Sequence, residues 1–173
     1  YRPALFQAFG IGRYVRNLAP ALLRADPALR LKLLAIYRRS RAAREMVARD
    51  GPDPTRADFV AVPCPARVFA LAVRLGVAAN RLLGGFDVWH DTDYAPTPVR
   101  RVPRVVTLYD AAFLEERGFV SPKQARKMTT IVRRLLDGDP TVATISEAAK
   151  ADLVATFGLD AARVHVTPLG FDP

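Results

Sequence analysis

Short apolar runs alternate along this sequence with longer segments in which apolar residues recur every three or four positions. The runs have the length of strands, and the recurring positions are typical of helices that bury one face. The predicted strands are Leu31–Tyr37, Asp58–Pro63, Phe86–Asp91, Val102–Asp110, Pro140–Ile145 and Arg163–Thr167. The predicted helices are Gly12–Ala25, Ala66–Leu83, Ser121–Leu136 and Ser146–Phe157, and the basic stretch Arg38–Asp50 is predicted to be helical in part.

Residues that cap or break helices mark several of these boundaries. Ser121 is followed by Pro122 at the first helical position and by Gln124 at the third, which together form a capping box. The Asp26-Pro27 pair ends the first helix, because a residue before proline is pushed out of the helical region. Gly158 is placed to end the last predicted helix. Caps and periodicity therefore indicate the same helices.

The alternation of strands and helices predicts an α/β fold, with a Rossmann-like parallel sheet covered by helices on both faces. In such sheets ligands bind beyond the carboxyl ends of the strands. Three polar segments, Asp91–Tyr94, Tyr109-Asp110 and Ser146-Glu147, follow or end predicted strands. We therefore expect a binding site at this edge of the sheet.

Composition limits the class of protein. The chain has 173 residues, of which 50% are hydrophobic and 25% are charged, and these values predict one soluble domain. A membrane-spanning helix needs roughly 18 to 20 uninterrupted apolar residues. The most apolar segment, Val68–Leu83, is interrupted by two arginines, a glycine and an asparagine. No signal segment opens the chain, and we predict a cytoplasmic protein.

Cysteine and histidine are too scarce for most metal centres. Cys64 is the only cysteine, which excludes an internal disulfide and a multi-cysteine zinc site. His90 and His165 are the only histidines. His90 lies at the end of a predicted strand, where it would either contact a substrate hydroxyl or be structural. His165 alternates with two valines and is interpreted as a packing or surface residue.

Two short motifs have more than one interpretation. Gly10-Ile11-Gly12 precedes the first helix, where glycines either let backbone approach a ligand or simply form a turn. A dinucleotide fingerprint would need a third glycine where Val15 stands. Asp91-Thr92-Asp93 offers carboxylates for a divalent cation, but Asp137-Gly138-Asp139 has the same spacing in a predicted turn. We predict no metal site.

The formal net charge is +9, with a sequence pI near 10.4. A positive field favours anionic partners, although an acidic second domain or a general arginine bias would explain the charge equally well. The cations concentrate in Arg38–Arg49, Arg100–Arg104 and Lys123–Arg134. One hypothesis is therefore a basic module that binds nucleic acid or an anionic membrane. Aromatic residues are sparse in these stretches, which makes nucleic acid the weaker alternative.

Four segments, taken in order, resemble the N-terminal domain of the family-four retaining glycosyltransferases, which have the GT-B fold. They are RPALFQAFGIGRYVRNL, FDVWHDTDYAP, VPRVVTLYDAAFL and ATISEAAKADLVATFGLDAARVHVTPLGFD. The first is similar to the family's Gly-Ile-Gly-Arg-Tyr loop and helix, and the third to its Val-Val-x-Thr-x-His-Asp segment. Together they cover nearly the whole chain.

The resemblance implies a transferase that moves a sugar from a nucleotide-diphosphate donor with retention, without a metal or an organic cofactor. The acceptor would be a glycan, a glycolipid or a small molecule. The implied catalytic and acceptor-side residues are His90, Tyr109 and Asp110. The implied substrate-binding residues are Gly10, Gly12, Arg13, Tyr14, Asp91, Ser146 and Glu147. The departing phosphate would help to deprotonate the acceptor.

Three departures from the family pattern qualify these implications. Tyr109-Asp110 stands where the family has His-Asp, and a phenol is a poor base at neutral pH. The strand expected before Arg2-Pro3 is missing, and the donor-binding C-terminal domain expected after Pro173 is absent. We therefore predict an acceptor-side domain, residues 1–173, that is inactive in isolation. A non-catalytic homologue and peripheral contact with the inner face of a membrane remain alternatives.

Overall fold

A computed structural model describes residues 4, 10–36, 40–62, 65, 68, 71, 84–97, 99, 101–114 and 120–170 of the chain. Its contacts group the chain into two compact units, residues 1–86 and residues 87–173. Both units combine helices with parallel strands. The predicted α/β class is confirmed.

The first unit contains a two-stranded parallel sheet, and each of its strands follows a helix in the sequence. Its elements are α1 (Ile11–Ala25), β1 (Leu31–Ile36), α2 (Ser40–Asp50) and β2 (Ala57–Val62). β1 and β2 pair in register from Leu31 opposite Ala57 to Ile36 opposite Val62. Ala19 and Leu23 of α1 are buried against Leu33 and Ala57, so the predicted apolar face of α1 packs on this sheet.

Arg56 stabilises the end of α1. Its guanidinium donates to the carbonyl oxygens of Leu23 at 2.8 Å, Asp26 at 2.6 Å and Leu29 at 3.2 Å. Carbonyls at a helix end have no partner within the helix, and a cation there also interacts favourably with the helix dipole. This arginine therefore has a structural role in the first unit.

The second unit contains a four-stranded parallel sheet with strands in the order β3-β4-β5-β6, which is also their order in the chain. The strands are β3 (Trp89–Asp91), β4 (Arg104–Thr107), β5 (Thr141–Thr144) and β6 (Val164–Val166). The helices are α3 (Pro122–Leu136) and α4 (Glu147–Phe157), with 3-10 turns at Ala112–Leu114 and Ala161–Arg163.

A single apolar cluster joins α3 and α4 to one face of this sheet. Val106, Val142 and Val164 lie side by side on β4, β5 and β6 in the strand register. They pack with Val132 and Leu135 of α3 and with Leu153 of α4, and none of these six side chains is more than 2% exposed. Valines that point to this face alternate with residues of the other face, as strand geometry requires.

The predicted caps of the second unit are confirmed. Ser121 Oγ accepts from the Gln124 amide at 3.3 Å, and Ser146 Oγ accepts from the Ala149 amide at 3.1 Å. Gly158 ends α4 with φ 66°, a left-handed conformation that glycine adopts without steric cost.

Two predicted strands are longer than the observed ones by three residues or more. Phe86–Asp91 is a strand only from Trp89, and Val102–Asp110 is one only from Arg104 to Thr107. β4 is paired with β5 as far as Thr107, and the Leu108 amide still donates to the Ala143 carbonyl at 2.9 Å, so Tyr109 and Asp110 follow the strand at the sheet edge. The predicted helix Ala66–Leu83 lies almost wholly outside the described residues. Within the described ranges, every helix is too short or too polar to cross a bilayer.

Candidate functional site

The carboxyl edge of the β3–β6 sheet brings together most of the polar residues that the sequence singled out. His90 and Asp91 end β3, Tyr109 and Asp110 follow β4, and Ser146 follows β5. These three strands are adjacent and parallel, so their carboxyl ends share one edge. This is where open parallel sheets bind ligands.

His90 is held by the neighbouring strand. Its Nε2 atom is 2.8 Å from Thr107 Oγ1. His90 is paired with Val105, and Thr107 lies two residues further along β4 on the same face. Burial lowers the pKa of His90 below its ordinary value of 6.5, and the nearby negative charge of Asp91 only partly offsets this. The half-buried imidazole is therefore neutral at physiological pH, and a neutral ring can donate or accept a proton.

Asp91 points to the opposite face and is only 3% exposed. Its Oδ2 accepts from Arg104 Nη2 at 2.8 Å, and its Oδ1 accepts from Trp89 Nε1 at 2.9 Å and from the Thr97 amide at 3.2 Å. Both carboxylate oxygens are thus occupied by protein donors. This arrangement favours a scaffold role, and substrate binding by Asp91 stays a prediction.

Tyr109 connects the segments that follow β3 and β4. Its hydroxyl donates to the Thr92 carbonyl at 2.9 Å, and its ring lies 6.2 Å from the ring of Tyr94. The side chain is 8% exposed. A buried phenol whose hydroxyl is bonded to a backbone carbonyl fixes loop geometry. The catalytic role implied for Tyr109 is untested, and its geometry favours positioning.

Tyr94 completes this aromatic pair. Burial raises the pKa of the Tyr94 hydroxyl, and the negative charge of Asp110 raises it further, against backbone hydrogen bonds from Tyr109 and Asp110 that lower it. Tyr94 therefore remains a neutral phenol at physiological pH.

Asp110 is the only carboxylate among the three implied catalytic residues, and it is exposed. Its Oδ1 accepts from the Ala112 amide at 3.1 Å and so begins the 3-10 turn at Ala112–Leu114. That bond orients the carboxylate while leaving it in contact with solvent. Of the implied catalytic residues, Asp110 is the one best exposed to a ligand, and His90 is the one best suited to move a proton.

Ser146 and Glu147 begin α4. The Ser146 hydroxyl caps the helix, and Glu147 lies exposed in its first turn. An acidic side chain there complements the helix dipole. It also repels an incoming anion, so Glu147 makes this helix start unfavourable for a phosphate.

The remaining predicted residues lie in the first unit. Gly10 has φ 58°, a conformation that favours glycine, and the Tyr14 amide donates to its carbonyl at 3.1 Å as α1 begins. Gly12 is buried and Arg13 is exposed. A common cleft that joins this loop to His90 stays a prediction.

Sequence reasoning missed Arg104 and Thr107, which help to hold the site together, and it gave no individual role to Thr92 and Tyr94 within the predicted segment Asp91–Tyr94. Each acts through a contact between neighbouring strands or loops. The apolar run VPRVVTLYD located β4, but strand register decides which of its residues meets His90 or Asp91. Composition gave no signal for these contacts.

A shallow cavity of about 300 Å³ lies elsewhere in the second unit. It is lined by Arg133, Leu136, Asp137, Thr156, Phe157 and Leu159. These residues stand at the carboxyl ends of α3 and α4 or just after them, which is the end from which the chain enters the next strand. The cavity is therefore remote from the carboxyl edge. In the described part of the chain, no group of three or more acidic, histidine or cysteine side chains is arranged to hold a metal ion.

Comparison with known proteins identifies the family. The model of the family described as Glycosyltransferase Family 4 matches residues 9–173, which is nearly the whole chain. No curated protein and no solved structure matches the chain. The resemblance carried by the four sequence segments is thereby confirmed. With its α/β fold and polar carboxyl edge, the chain belongs to glycosyltransferase family 4 as an N-terminal domain of that family.

Proposed function

We propose that this glycosyltransferase domain binds the acceptor of a retaining transferase that uses a nucleotide-diphosphate sugar. The carboxyl edge of the β3–β6 sheet forms the acceptor wall. The observation that carries the proposal is the family match over residues 9–173, joined to the position of His90 and Asp110 at one sheet edge. The acceptor class is a hydroxyl compound such as a glycan, a glycolipid or a small molecule.

His90 and Asp110 have complementary roles in this proposal. The neutral imidazole of His90, oriented by Thr107, donates or accepts a hydrogen bond at the acceptor hydroxyl. Asp110 presents an exposed carboxylate that binds neighbouring hydroxyls of the acceptor. Tyr109 and Tyr94 keep the two loops in place.

The proposed reaction is the one that the family resemblance implies. The acceptor oxygen bonds to the anomeric carbon while the bond between that carbon and the phosphate oxygen breaks. The acceptor proton passes to the departing diphosphate, and the product keeps the anomeric configuration of the donor. In this proposal a donor-binding second domain supplies the diphosphate contacts, and substrate binding by Gly10, Arg13 and Tyr14 stays a prediction.

The test is a transfer assay with the complete enzyme and with the 173-residue chain alone. Each is offered a panel of nucleotide-diphosphate sugars, and release of nucleoside diphosphate is measured with and without candidate acceptors. We expect acceptor-dependent release by the complete enzyme and none by the isolated chain, because one wall of the cleft is supplied elsewhere. Nuclear magnetic resonance of the product reports its anomeric configuration.

Two results would count against the proposal. Transfer by the isolated chain would show that no second domain is needed. An inverted product would exclude the retaining mechanism while leaving the family assignment intact. Addition of the separately expressed second domain is the matched control, since it should restore transfer if the two halves associate.

A non-catalytic homologue is the competing function, and Tyr109 is the observation that favours it. The family's histidine at this position is absent, and the tyrosine hydroxyl is bonded to a backbone carbonyl. Tyr109→His in the complete protein separates the alternatives. If the wild type is inactive and the variant gains transfer, the natural protein is a binding protein. If the wild type is active, Tyr109→Phe should retain most of the activity, because the ring and its packing remain.

A further inference from the structure

The outer face of α3 carries an unusual concentration of positive charge. Five cations occur within Pro122–Leu136, and this helix contains no acidic residue. All five are exposed, and they are Lys123, Arg126, Lys127, Arg133 and Arg134. At 100° per residue they fall within a stripe about 120° wide, opposite the buried Val132 and Leu135. The stripe is about 16 Å long, from 11 residue steps of about 1.5 Å.

Several arginines elsewhere in the molecule are engaged by the fold. Arg16 donates to the Ala4 carbonyl at 2.7 Å, and Arg56 bonds the carbonyls at the end of α1. Arg104 pairs with Asp91, and Arg163 pairs with Asp139. None of the five cations of α3 makes an ion pair or a side-chain hydrogen bond to any residue in the ranges the structure describes. Ion pairs and hydrogen bonds within this domain therefore do not account for them, although Arg133 and Arg134 also complement the helix dipole in the last turn of α3.

The other polar groups of this face do not extend outward. Thr129 and Thr130 turn their hydroxyls back to the carbonyls of Ala125 and Arg126, at 2.9 Å in each case. The ammonium and guanidinium groups are left as the projecting polar heads. Like charges three and four residues apart repel, and Lys123 in the first turn also opposes the helix dipole. An anionic surface would relieve both costs.

A lipid surface suits this stripe better than a nucleic acid does. The helix has no aromatic residue on which a base could stack. Its cations lie along one straight helical face rather than lining a groove that could follow a phosphate backbone. Anionic headgroups in a bilayer form a plane, and a single row of long cationic side chains can contact that plane along its whole length.

We propose that the outer face of α3 docks this domain on a membrane surface rich in anionic phospholipid. The contact is electrostatic and reversible, since α3 inserts no large apolar side chain. It is independent of sugar transfer, and a binding measurement can fail without affecting the proposed enzymatic function.

The experiment measures partition of the full chain onto sedimented vesicles. One set of vesicles is phosphatidylcholine alone, and the other contains about one third phosphatidylglycerol, at roughly 0.05 M and 0.5 M salt. The test variant is Lys123→Gln, Lys127→Gln, Arg134→Gln. The control is Arg24→Gln, Arg30→Gln, Arg44→Gln, which removes three exposed cations outside α3. Both variants have a net charge of +6, from +9 minus 3, so they differ in where the charge is lost.

We expect the wild type to bind the anionic vesicles at low salt and to be released by high salt or by neutral lipid. Each cation near the surface changes partition by roughly fivefold, so the α3 variant should lose about 100-fold and the control less than fivefold. Glutamine has nearly the helix propensity of lysine and arginine, so α3 is retained. Circular dichroism checks this, and the single variant Lys127→Glu replaces the triple variant if the latter unfolds.

Three outcomes would overturn the proposal. Failure of the wild type to bind anionic vesicles would remove the membrane surface as the partner. Equal losses in the two triple variants would assign binding to net charge rather than to α3. Binding to a short DNA duplex that depends on the α3 cations, in the absence of vesicle binding, would assign this face to nucleic acid.

Discussion

The two faces of the β3–β6 sheet differ in how deeply their polar side chains are buried and in what these side chains contact. On one face, Asp91 pairs with Arg104 and the neighbouring valines are buried beneath α3 and α4. On the other, His90 is half-buried beside Thr107, and His165 at the same face of β6 is exposed. His90 and Asp91 are consecutive in sequence, yet one is available for chemistry and the other is fixed inside the fold. Strand alternation decides which residue receives which role.

The covered face, which is the face of the sheet packed against α3 and α4, shows how the buried charge of Asp91 is stabilised. Asp91 accepts three hydrogen bonds, and its partner Arg104 also donates to the Asp137 carbonyl at 2.9 Å. A buried charge is stable only if it is paired and bonded in this way. The ion pair therefore aligns β3, β4 and the end of α3, which in turn sets the position of the carboxyl edge.

The largest expected effect comes from breaking this ion pair. Asp91→Ala should lower the free energy of unfolding by about 3 kcal/mol, because Arg104 and two further donors lose their acceptor. Asp93→Ala is the control, and it should cost about 1 kcal/mol or less, since the hydrogen bond from the Ala95 amide to Asp93 is exposed. Urea unfolding measures both. Equal losses would show that the Asp91 pair does not stabilise the covered face.

A pair of threonines sharpens the comparison at a smaller scale. Thr107 and Thr144 are the last residues of adjacent strands and point to opposite faces, and both are almost fully buried. The Thr107 hydroxyl contacts His90, whereas the Thr144 hydroxyl has no hydrogen-bond partner in the described part of the chain.

Substitution by valine should therefore have opposite effects at the two positions. Thr107→Val should destabilise the protein by about 1 kcal/mol, because His90 loses a partner. Thr144→Val should be neutral or stabilising by up to about 1 kcal/mol, because an unsatisfied buried hydroxyl is removed. Urea unfolding of the two variants is the measurement, and a loss of the same size at both would refute this distinction.

The smallest effect is a pH dependence that originates at His90. Its pKa is lowered in the folded state by burial, so unfolding allows it to bind a proton more readily. Its contribution to stability is complete above the ordinary pKa of 6.5 and is lost as the pH falls from there through the folded pKa.

Unfolding curves between about pH 5 and pH 8 test this sign. His90→Gln should flatten the decline of stability on the acidic side. An unchanged decline in His90→Gln would mean that other groups cause it.

Much of the fold could be predicted from the sequence because local signals decide it. The serines at 121 and 146 and Gly158 are caps that act within one turn, so α3 and α4 begin and end where predicted. The position of the polar residues at one sheet edge was also predictable, since the carboxyl ends of adjacent parallel strands lie at the same edge. Strand lengths were harder to predict, because Tyr109 and Asp110 continue the run that forms β4 but lie beyond its bonding to β5, in which the Leu108 amide still donates to the Ala143 carbonyl.

The chemistry at the site could not be predicted to the same depth. The sequence identified His90, Asp91 and Tyr109 as polar or aromatic residues at strand ends and gave them similar roles. Their differences depend on partners 13 to 17 residues away in the sequence, namely Arg104, Thr107 and Thr92. Such partners are fixed by strand register and loop path, which single-sequence patterns do not determine.

The central claim, that the His90 face of the carboxyl edge contacts the acceptor, is tested most directly by the chain's two histidines. We expect His90→Ala in the complete enzyme to lower kcat/KM by about 10- to 100-fold, as loss of a hydrogen bond to substrate would. His165→Ala, on the same face of the sheet but three strands away from His90 on β6, should stay within about twofold of the wild type. Equal values of kcat/KM for the two variants would contradict the account.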